Sequence, residues 1–595
     1  MDPLGDVLYV ANANTDSTFG GSTLVSVDLL RHEHAVSCFR RYGRGDGGDA
    51  ECGRVSCDQS GWSLGSEATI EQTEAREAID GKAPADYDRC YCQYDLDDPN
   101  VVNCESQRFI IADQTVKVGF FPGSMQILAE DPPNWSTLKS GDALRRGLYM
   151  AVRGDPSVTF IDVQRPLRPG RLATESPGLN VSCGDVGADA GPHEPGQPYV
   201  TRACADANRV QRTADEILID VNNPSAGTQP RLSVPTEPME IQIDRGCVEK
   251  GFRHDRGTFL TDAAQNPSHH PPCYKDDGMG GVTSGTYYQY LVASHLAHGE
   301  ISAYDLGKSA ISPVTPVLQD VTNPPLVSID STGRAGAIAV TPRMPGDLSQ
   351  PWYVSSRLRG SIPTFRLASV GGPRVVAGFE FRISDPFSPA FDQDVRDIKF
   401  EPGGSRAFAT VYRPPALVTL DTSARSDRGQ PLHQVTGVVN LCLGPERSVF
   451  ASVPRPFMGG TARQNRVYVS CYLSGQFAEV DVDSGELTSI TQLGRGPFSI
   501  ALNFGDASGG PMVDPCVDPY IGDGDASKRG VTCPAAGRPD LRPRPLGPAQ
   551  PGMGPRAYVS VFFDNVIAVV DLDPRNPTYR RLVSRIGLPI PKQVQ

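Results

Sequence analysis

Val467-Tyr468-Val469-Ser470, followed by Ala478-Glu479-Val480-Asp481, is the stretch that decides the fold. Apolar and polar residues alternate along both segments, so one face of each reaches a core, and β-branched and aromatic side chains suit a pleated surface. The unit is an aromatic-led strand, a short loop and an apolar strand that closes on an acid. Moving outward, it recurs. Tyr149 leads to Asp162, Phe408 to Asp421 and Tyr558 to Asp571, each thirteen residues apart, as Tyr468 is from Asp481. Tyr353 keeps the spacing to Arg366, where a base replaces the acid. Tyr9 to Asp28 is longer because Asn14 to Gly21 widen the loop, and Tyr290 to Asp305 is off by one or two. Two strands cannot bury their faces alone, and seven such units supply one another with neighbours when stacked in a ring.

A second signature precedes several units: Gly119-Phe120-Phe121-Pro122 before Met125, Pro235-Thr236-Glu237-Pro238 before Met239, and Gly494-Arg495-Gly496-Pro497 before Ile500. A turn followed by a small apolar strand suits the axis-lining strand of a blade. The combined pattern resembles the YVTN repeat of bacterial β-propellers, a WD40-like arrangement. Only Asn12 keeps the motif's asparagine; Val152, Ser294, Ser356, Val411, Cys471 and Val561 stand at the corresponding places. The resemblance implies four-stranded blades around a central channel. The expectation is therefore an all-β protein, a single seven-bladed β-propeller over residues 1–595, in which the C-terminal Ile586-Gly587-Leu588-Pro589 segment and the residues after it supply the first blade's missing inner strand.

Gly 61 and Pro 53 favour turns and short strands over long helices. A net charge of −13 lacks the footprint of a nucleic-acid binder and does not favour anionic lipid. No apolar run is long enough for a transmembrane helix. The 14 cysteines lie mostly in polar loops. Structural zinc sites pair cysteines as C-x2-C, whereas Cys52 and Cys57, and Cys90 and Cys92, are spaced otherwise, so disulfides in an oxidising compartment are expected. The start Met-Asp-Pro-Leu-Gly-Asp has no signal-peptide character. The cysteines outweigh it, and the expected location is extracytoplasmic (periplasmic, outer-membrane-attached or secreted), with a leader or lipoprotein anchor lying ahead of the numbered chain.

The repeats leave long insertions. Residues 31–107 form a Cys-rich insertion within the first blade, where Ser66 caps an expected short helix that Gly81 stops. Others occupy 165–230, 245–285, 424–463 and 504–553. Local disulfides are expected between Cys183 and Cys204, Cys247 and Cys273, Cys442 and Cys471, and Cys516 and Cys533; pairing within 31–107 is open.

For chemistry, Asp518, Asp523 and Asp525 in a Gly-rich run, and Asp46 and Asp49 in another, are calcium candidates beside the plain reading of a solvated turn. No cofactor is required beyond a structural calcium. His269, His270, His295 and His298 read as turn or surface residues rather than metal ligands. The acids Asp28, Asp162, Asp305, Asp421, Asp481 and Asp571 recur in nearly every unit, and repetition fits turn-capping rather than catalysis. Asn134-Trp135-Ser136 and Asn180-Val181-Ser182 match the glycosylation pattern. No nucleophile elbow, phosphate loop, H-E-x-x-H motif or dinucleotide fingerprint stands in a fitting context. The first functional expectation is thus a non-enzymatic scaffold that presents disulfide-stiffened loops to a protein or glycan partner at the cell envelope. The second is a lactonase-like or redox-associated propeller enzyme with its site at the channel mouth, which a convergence of charged side chains there favours. The third is a subunit of an envelope assembly.

Overall fold

The computed structural model describes residues 6–12, 22–42, 92–95, 97–111, 114–129, 143–154, 157–166, 177–184, 202–205, 208–211, 237–247, 253–254, 273–276, 282–284, 287–296, 301–305, 319–320, 335–340, 351–357, 361–368, 374–382, 394–401, 404–427, 432–454, 463–503, 555–574 and 576–589. In chain order the elements begin with β1 (Val7–Asn12), β2 (Ser22–Asp28), helix α1 (Leu29–Tyr42), β3 (Cys92–Tyr94), β4 (Val102–Cys104) and β5 (Val116–Val118). The next blade holds β6 (Pro122–Ala129), β7 (Ala143–Val152) and β8 (Ser157–Pro166), with β9 (Asn180–Ser182) and β11 (Arg209–Gln211) both on β8. Between these lies β10 (Arg202–Ala203). Then come β12 (Pro238–Cys247), a small satellite sheet of β13 (Arg253–His254), β14 (Cys273–Asp276) and β15 (Val282–Ser284), and β16 (Tyr287–His295), β17 (Ile301–Asp305) and β18 (Gln319–Asp320).

The remaining blades are plain meanders. One is β19 (Ala335–Val340), β20 (Trp352–Ser356), β21 (Ser361–Ala368) and β22 (Arg374–Arg382). The next is β23 (Val395–Phe400), β24 (Arg406–Val411), β25 (Ala416–Asp421) and β26 (Gln434–Asn440). It is followed by β27 (Pro445–Pro454), β28 (Arg463–Cys471), β29 (Gln476–Asp481) and β30 (Glu486–Gln492). The last is β31 (Pro497–Asn503), β32 (Arg556–Val561), β33 (Val566–Asp571) and β34 (Leu582–Ile586).

In the six complete blades the aromatic-led strand of the repeat stands second, between the inner strand and the strand that carries the acid, or Arg366 in its place in β21. The thirteen-residue spacing follows from register. Val411 pairs Ala416, Cys471 pairs Gln476 and Val561 pairs Val566, so the same four-residue turn sits between second and third strands in three blades. The inner strands β6, β12, β19, β23, β27 and β31 stand side by side in that order, which makes the molecule a β-propeller. Apolar layers fill the spaces between sheets, such as Phe408, Leu417, Val467 and Val480 between the β24 and β28 blades.

Six complete blades are present among the described residues, where seven were expected. The difference is the first sheet. It has β1, β2 and β5, but no inner strand lies on the free edge of β1 among the described residues. This sheet nevertheless packs on both neighbours: Leu8, Val25 and Val27 join Tyr558, Val569 and Ile586 of the last blade, and Val7, Tyr9 and Leu24 join Leu148 and Ile161 of the next.

Two sheets are extended at their outer edges by parallel strands from distant parts of the chain: β4 on β34, and β10 on β5. Cys92–Cys104 bonds β4 to β3 within the first of these additions, and Cys183–Cys204 bonds the residue after β10 to the residue after β9. A third bond, Cys442–Cys471, joins the lead into β27 to the end of β28. Cys247 and Cys273 begin or end strands, but their side chains lie outside the described residues, as do Cys516 and Cys533 and the helix expected after Ser66. The helix that is described, α1, starts earlier, directly after β2.

Strand direction gives the two ends of the ring different characters. The connections from first to second and from third to fourth strands all open on one rim. The opposite rim carries the leads into the inner strands and the turns after the second strands.

Candidate functional site at the channel mouth

That second rim is built by one repeated backbone bond. The amide after the second strand donates to the carbonyl just before the inner strand: Arg153 to Phe121 (3.0 Å), Leu296 to Glu237 (3.0 Å), Tyr412 to Asp394 (2.9 Å), Tyr472 to Gly444 (2.7 Å) and Phe562 to Gly496 (2.9 Å). In four of these the accepting residue is left-handed and precedes a proline: Phe121 (φ 53°), Glu237 (φ 54°), Gly444 (φ 69°) and Gly496 (φ 75°). Glycine suits this geometry, and a Cβ on Gly496 would lie 2.8 Å from the Phe563 ring. Phe121 and Glu237 adopt it at a cost of about 1–2 kcal/mol each. Phe121→Gly is therefore expected to raise stability by about 0.5–1 kcal/mol, the relieved strain being partly offset by glycine's chain entropy. A denaturant midpoint measures this, and a loss of stability instead would show that the phenyl group is held for packing.

Across this mouth, charged side chains converge from several blades. The Arg447 Nη1 of β27 donates to the Glu240 Oε2 of β12 at 2.6 Å, linking blades that are separated by two others. The next residue, Glu446, accepts from Arg357 (2.9 Å), which follows β20, and from Arg396 on β23 (3.3 Å), which also binds Asp394 (2.5 Å). Asp397, wholly buried on β23, accepts the Ser448 amide (2.8 Å) and Oγ (3.1 Å) and Lys399 Nζ (3.0 Å). Burial, reinforced by the cations of Arg396 and Arg447 against the pull of Glu446, lowers the Arg357 guanidinium to about 10. Burial also acts against the charge of Arg447, but Glu240, Asp397 and Glu446 outweigh it and hold that guanidinium above its ordinary value. Every carboxylate in this group is engaged by a cation or an amide, so the cluster crosses the channel as a neutralised crosspiece.

Around the crosspiece runs an apolar and aromatic rim. Phe562 and Phe563 are 47% and 50% exposed, Leu443 and Leu473 61% and 60%, and Phe121 44%. Tyr472 lies 5.6 Å from Phe563 and 6.4 Å from Phe498, over which the Arg447 guanidinium sits at 5.5 Å. The supports are rigid. Asp564 accepts both the Arg495 amide and its Nε at 2.7 Å, fixing the Phe562–Phe563 turn, and Cys442–Cys471 braces Leu443 and Tyr472.

Four of the six recurring acids bind backbone, while Asp162 accepts from the Gln164 side chain at 3.2 Å and the side chain of Asp305 lies outside the described residues. Asp421 accepts the amides of Ser423 (2.8 Å) and Ala424 (3.0 Å), Asp481 those of Asp483 (3.0 Å) and Ser484 (3.1 Å), Asp571 that of Asp573 (2.9 Å), and Asp28 that of Arg31 (3.1 Å). His295 is buried at the end of β16. His269, His270, His298, Asp46, Asp49, Asp518, Asp523 and Asp525 lie outside the described residues. Among the described residues no three His, Cys, Asp or Glu side chains are grouped to hold a metal. The mouth cluster was missed in the sequence. Its one visible signal was the pre-proline turn, which marks where inner strands begin.

The fold and this mouth define a disulfide-bonded β-propeller. No family model and no curated protein matches the sequence. Solved structures that resemble it include a functionally unknown protein from Desulfotomaculum acetoxidans (10% identity, TM-score 0.35, 79% of this chain and 88% of that one). Another is the dihydro-heme d1 dehydrogenase NirN (9%, TM-score 0.33, 96% and 83%). A third is the periplasmic gluconolactonase PpgL of Pseudomonas aeruginosa (11%, TM-score 0.27, 62% and 96%). The strand order above, rather than these likenesses, carries the assignment of the fold.

Proposed function

We propose that this protein is an extracytoplasmic, non-enzymatic binding propeller, and that a protein partner docks on the mouth rim. One observation carries the reading: exposed Phe562, Phe563, Leu443, Leu473 and Phe121 stand on the rim that also carries the inter-blade ion pair of Arg447 and Glu240. Exposed aromatic and aliphatic side chains on rigid supports are the anchors protein interfaces use, with arginines beside them. Three disulfides support an oxidising compartment. For the long insertions of the sequence we keep a glycan or an assembly partner as a separate proposal.

The test is a photo-crosslinking residue placed at Leu473 in cells that make the protein. A single polypeptide captured there, and lost with Phe562→Asp/Phe563→Asp at unchanged thermal stability, is the expected result, with affinity reduced at least about tenfold. Capture that survives the double substitution would move the interface elsewhere. A second reading, an enzyme, is favoured by the convergence of Glu240, Arg357, Arg396, Glu446 and Arg447 from four blades. Hydrolysis of aldonolactones that Glu446→Gln abolishes would establish it.

We also propose that the first sheet is a seventh blade of YVTN type, its inner strand supplied by the segment after Ile586. Its seat between the last blade and the β6 blade supports this.

A further inference from the structure

Helix α1 bridges the first sheet and the last blade. Its buried stripe runs Leu29, His32, Val36, Phe39, the spacing of one helical face, with Glu33 and Leu30 beside it. Two titratable residues thus occupy core positions. The His32 ring is wholly buried, stands edge-on to Phe109 at 5.1 Å, and neither nitrogen has a hydrogen-bond partner in the protein. Glu33 lies 3.6 Å from Arg556, which is bonded to Asp571 on the neighbouring strand. The helix is tied outward by Arg40, which donates to the Val583 carbonyl at 2.8 Å. Beside it β4 pairs with β34 from Ser584–Val102 to Ile586–Cys104, and Arg585 binds Asp95 at 2.5 Å. Together α1, β3 and β4 form a clasp on the last blade.

We propose that this clasp is an acid-operated latch, in which protonation of His32 releases α1 and the β3–β4 pair from the last blade while the other blades remain folded. A buried imidazole with no acceptor has nothing to stabilise its cation, and the charge of Arg556 repels it. Burial first, and Arg556 second, lower His32 from 6.5 to about 3. The open form therefore binds a proton that the closed form refuses, and the ratio of open to closed rises about tenfold per pH unit below 6.5 until about pH 3. Of the other groups facing His32, Glu33 acts oppositely. Burial raises it, with Asp571 adding to that rise and Arg556 and Arg40 resisting it, so it takes up its proton early in the closed form and favours closure as pH falls. Below the ordinary Glu33 range both forms hold that proton, and His32 drives opening. Asp95, which burial pushes up but Asn103, Arg585 and the amides of Asp97 and Asp98 together hold below its ordinary value, adds to it only below the ordinary aspartate range. Tyr558 is pushed up by burial and does not titrate here, and Arg40 and Arg556 keep their charge.

The experiment is hydrogen exchange on the full chain between pH 7 and pH 3, corrected for intrinsic rates, comparing residues 29–42, 92–104 and 582–586 with the β27–β30 blade. The expected result is faster exchange in the clasp below about pH 4.5, about tenfold per unit, with the reference blade unchanged. Glu33→Gln should move the onset up toward 6.5. His32→Phe, and independently His32→Gln in case the first variant folds poorly, should abolish the acid-specific rise. A rise above about pH 4 that persists in both His32 variants and in His32→Gln combined with Glu33→Gln, or exchange of the reference blade in step with the clasp, overturns the proposal.

Discussion

Glu479→Ala is expected to destabilise the protein by about 3–5 kcal/mol, because it strands cations inside a sheet interface. Glu479 sits on β29 with a side chain 1% exposed. It receives both Arg580 Nε and Nη2 at 2.9 Å and Arg466 Nε at 3.2 Å. Arg580 belongs to the last blade and Arg466 to β28, so one carboxylate ties two blades together. The same junction is closed by Thr491 Oγ1, which donates to the Arg580 carbonyl at 2.7 Å. Removing the carboxylate leaves Arg466 with Asp481 (2.7 Å) and removes both contacts of Arg580 with Glu479. Glu479→Gln keeps the volume and one acceptor, and should lose roughly half as much. A urea midpoint for each variant measures this. A loss under about 1 kcal/mol for the alanine variant would mean that water reaches both guanidiniums and the bridge is a surface pair in energetic terms.

Trp352→Ala should cost about 3–5 kcal/mol, from the cavity left by a wholly buried indole. Trp352 begins β20, and its Nε1 donates to Asp244 Oδ2 of β12 at 2.6 Å, across the boundary between two blades. Trp352→Phe keeps most of the apolar contact but removes a hydrogen bond to a carboxylate, for about 1.5–3 kcal/mol. The two variants separate packing from polar linkage. If the phenylalanine variant equals wild type, the indole nitrogen contributes nothing to the junction, and the blades are held there by apolar contact alone.

The blades were legible in the sequence because their information is local. A fixed four-residue turn between two alternating strands forces the aromatic-to-acid spacing, and any copy shows it without reference to the rest. The position of the last acid was equally local, since Asp421, Asp481 and Asp571 serve turns only two or three residues away. The crosspiece was not legible. Arg447 and Glu240 are 207 residues apart, and each reads alone as a solvated charge on a short strand. Only ring closure brings them together. Helix α1 was overlooked for a different reason. His32 and Glu33 interrupt its apolar stripe, so the residues that give the clasp its chemistry are those that hid the helix. The blade count departs from expectation at the first sheet, for which the C-terminal segment was expected to supply an inner strand and none is present among the described residues.

The clasp also bears on how the chain reaches its fold. Asp95 meets Arg585 across 490 residues of sequence, and β4 has no ladder partner other than β3 until β34 has been made. During synthesis the apolar side of α1, with Leu29, Val36 and Phe39, has nothing from the last blade to cover it until the residues up to Ile586 have emerged. Contacts of such long range are slow to form, and a surface that waits uncovered is open to wrong partners in the meantime. The short loop between Cys92 and Cys104 can close long before then. Early oxidation of that pair would shape the β3–β4 hairpin in advance, so that the slowest step of folding becomes the docking of a finished edge onto a finished blade.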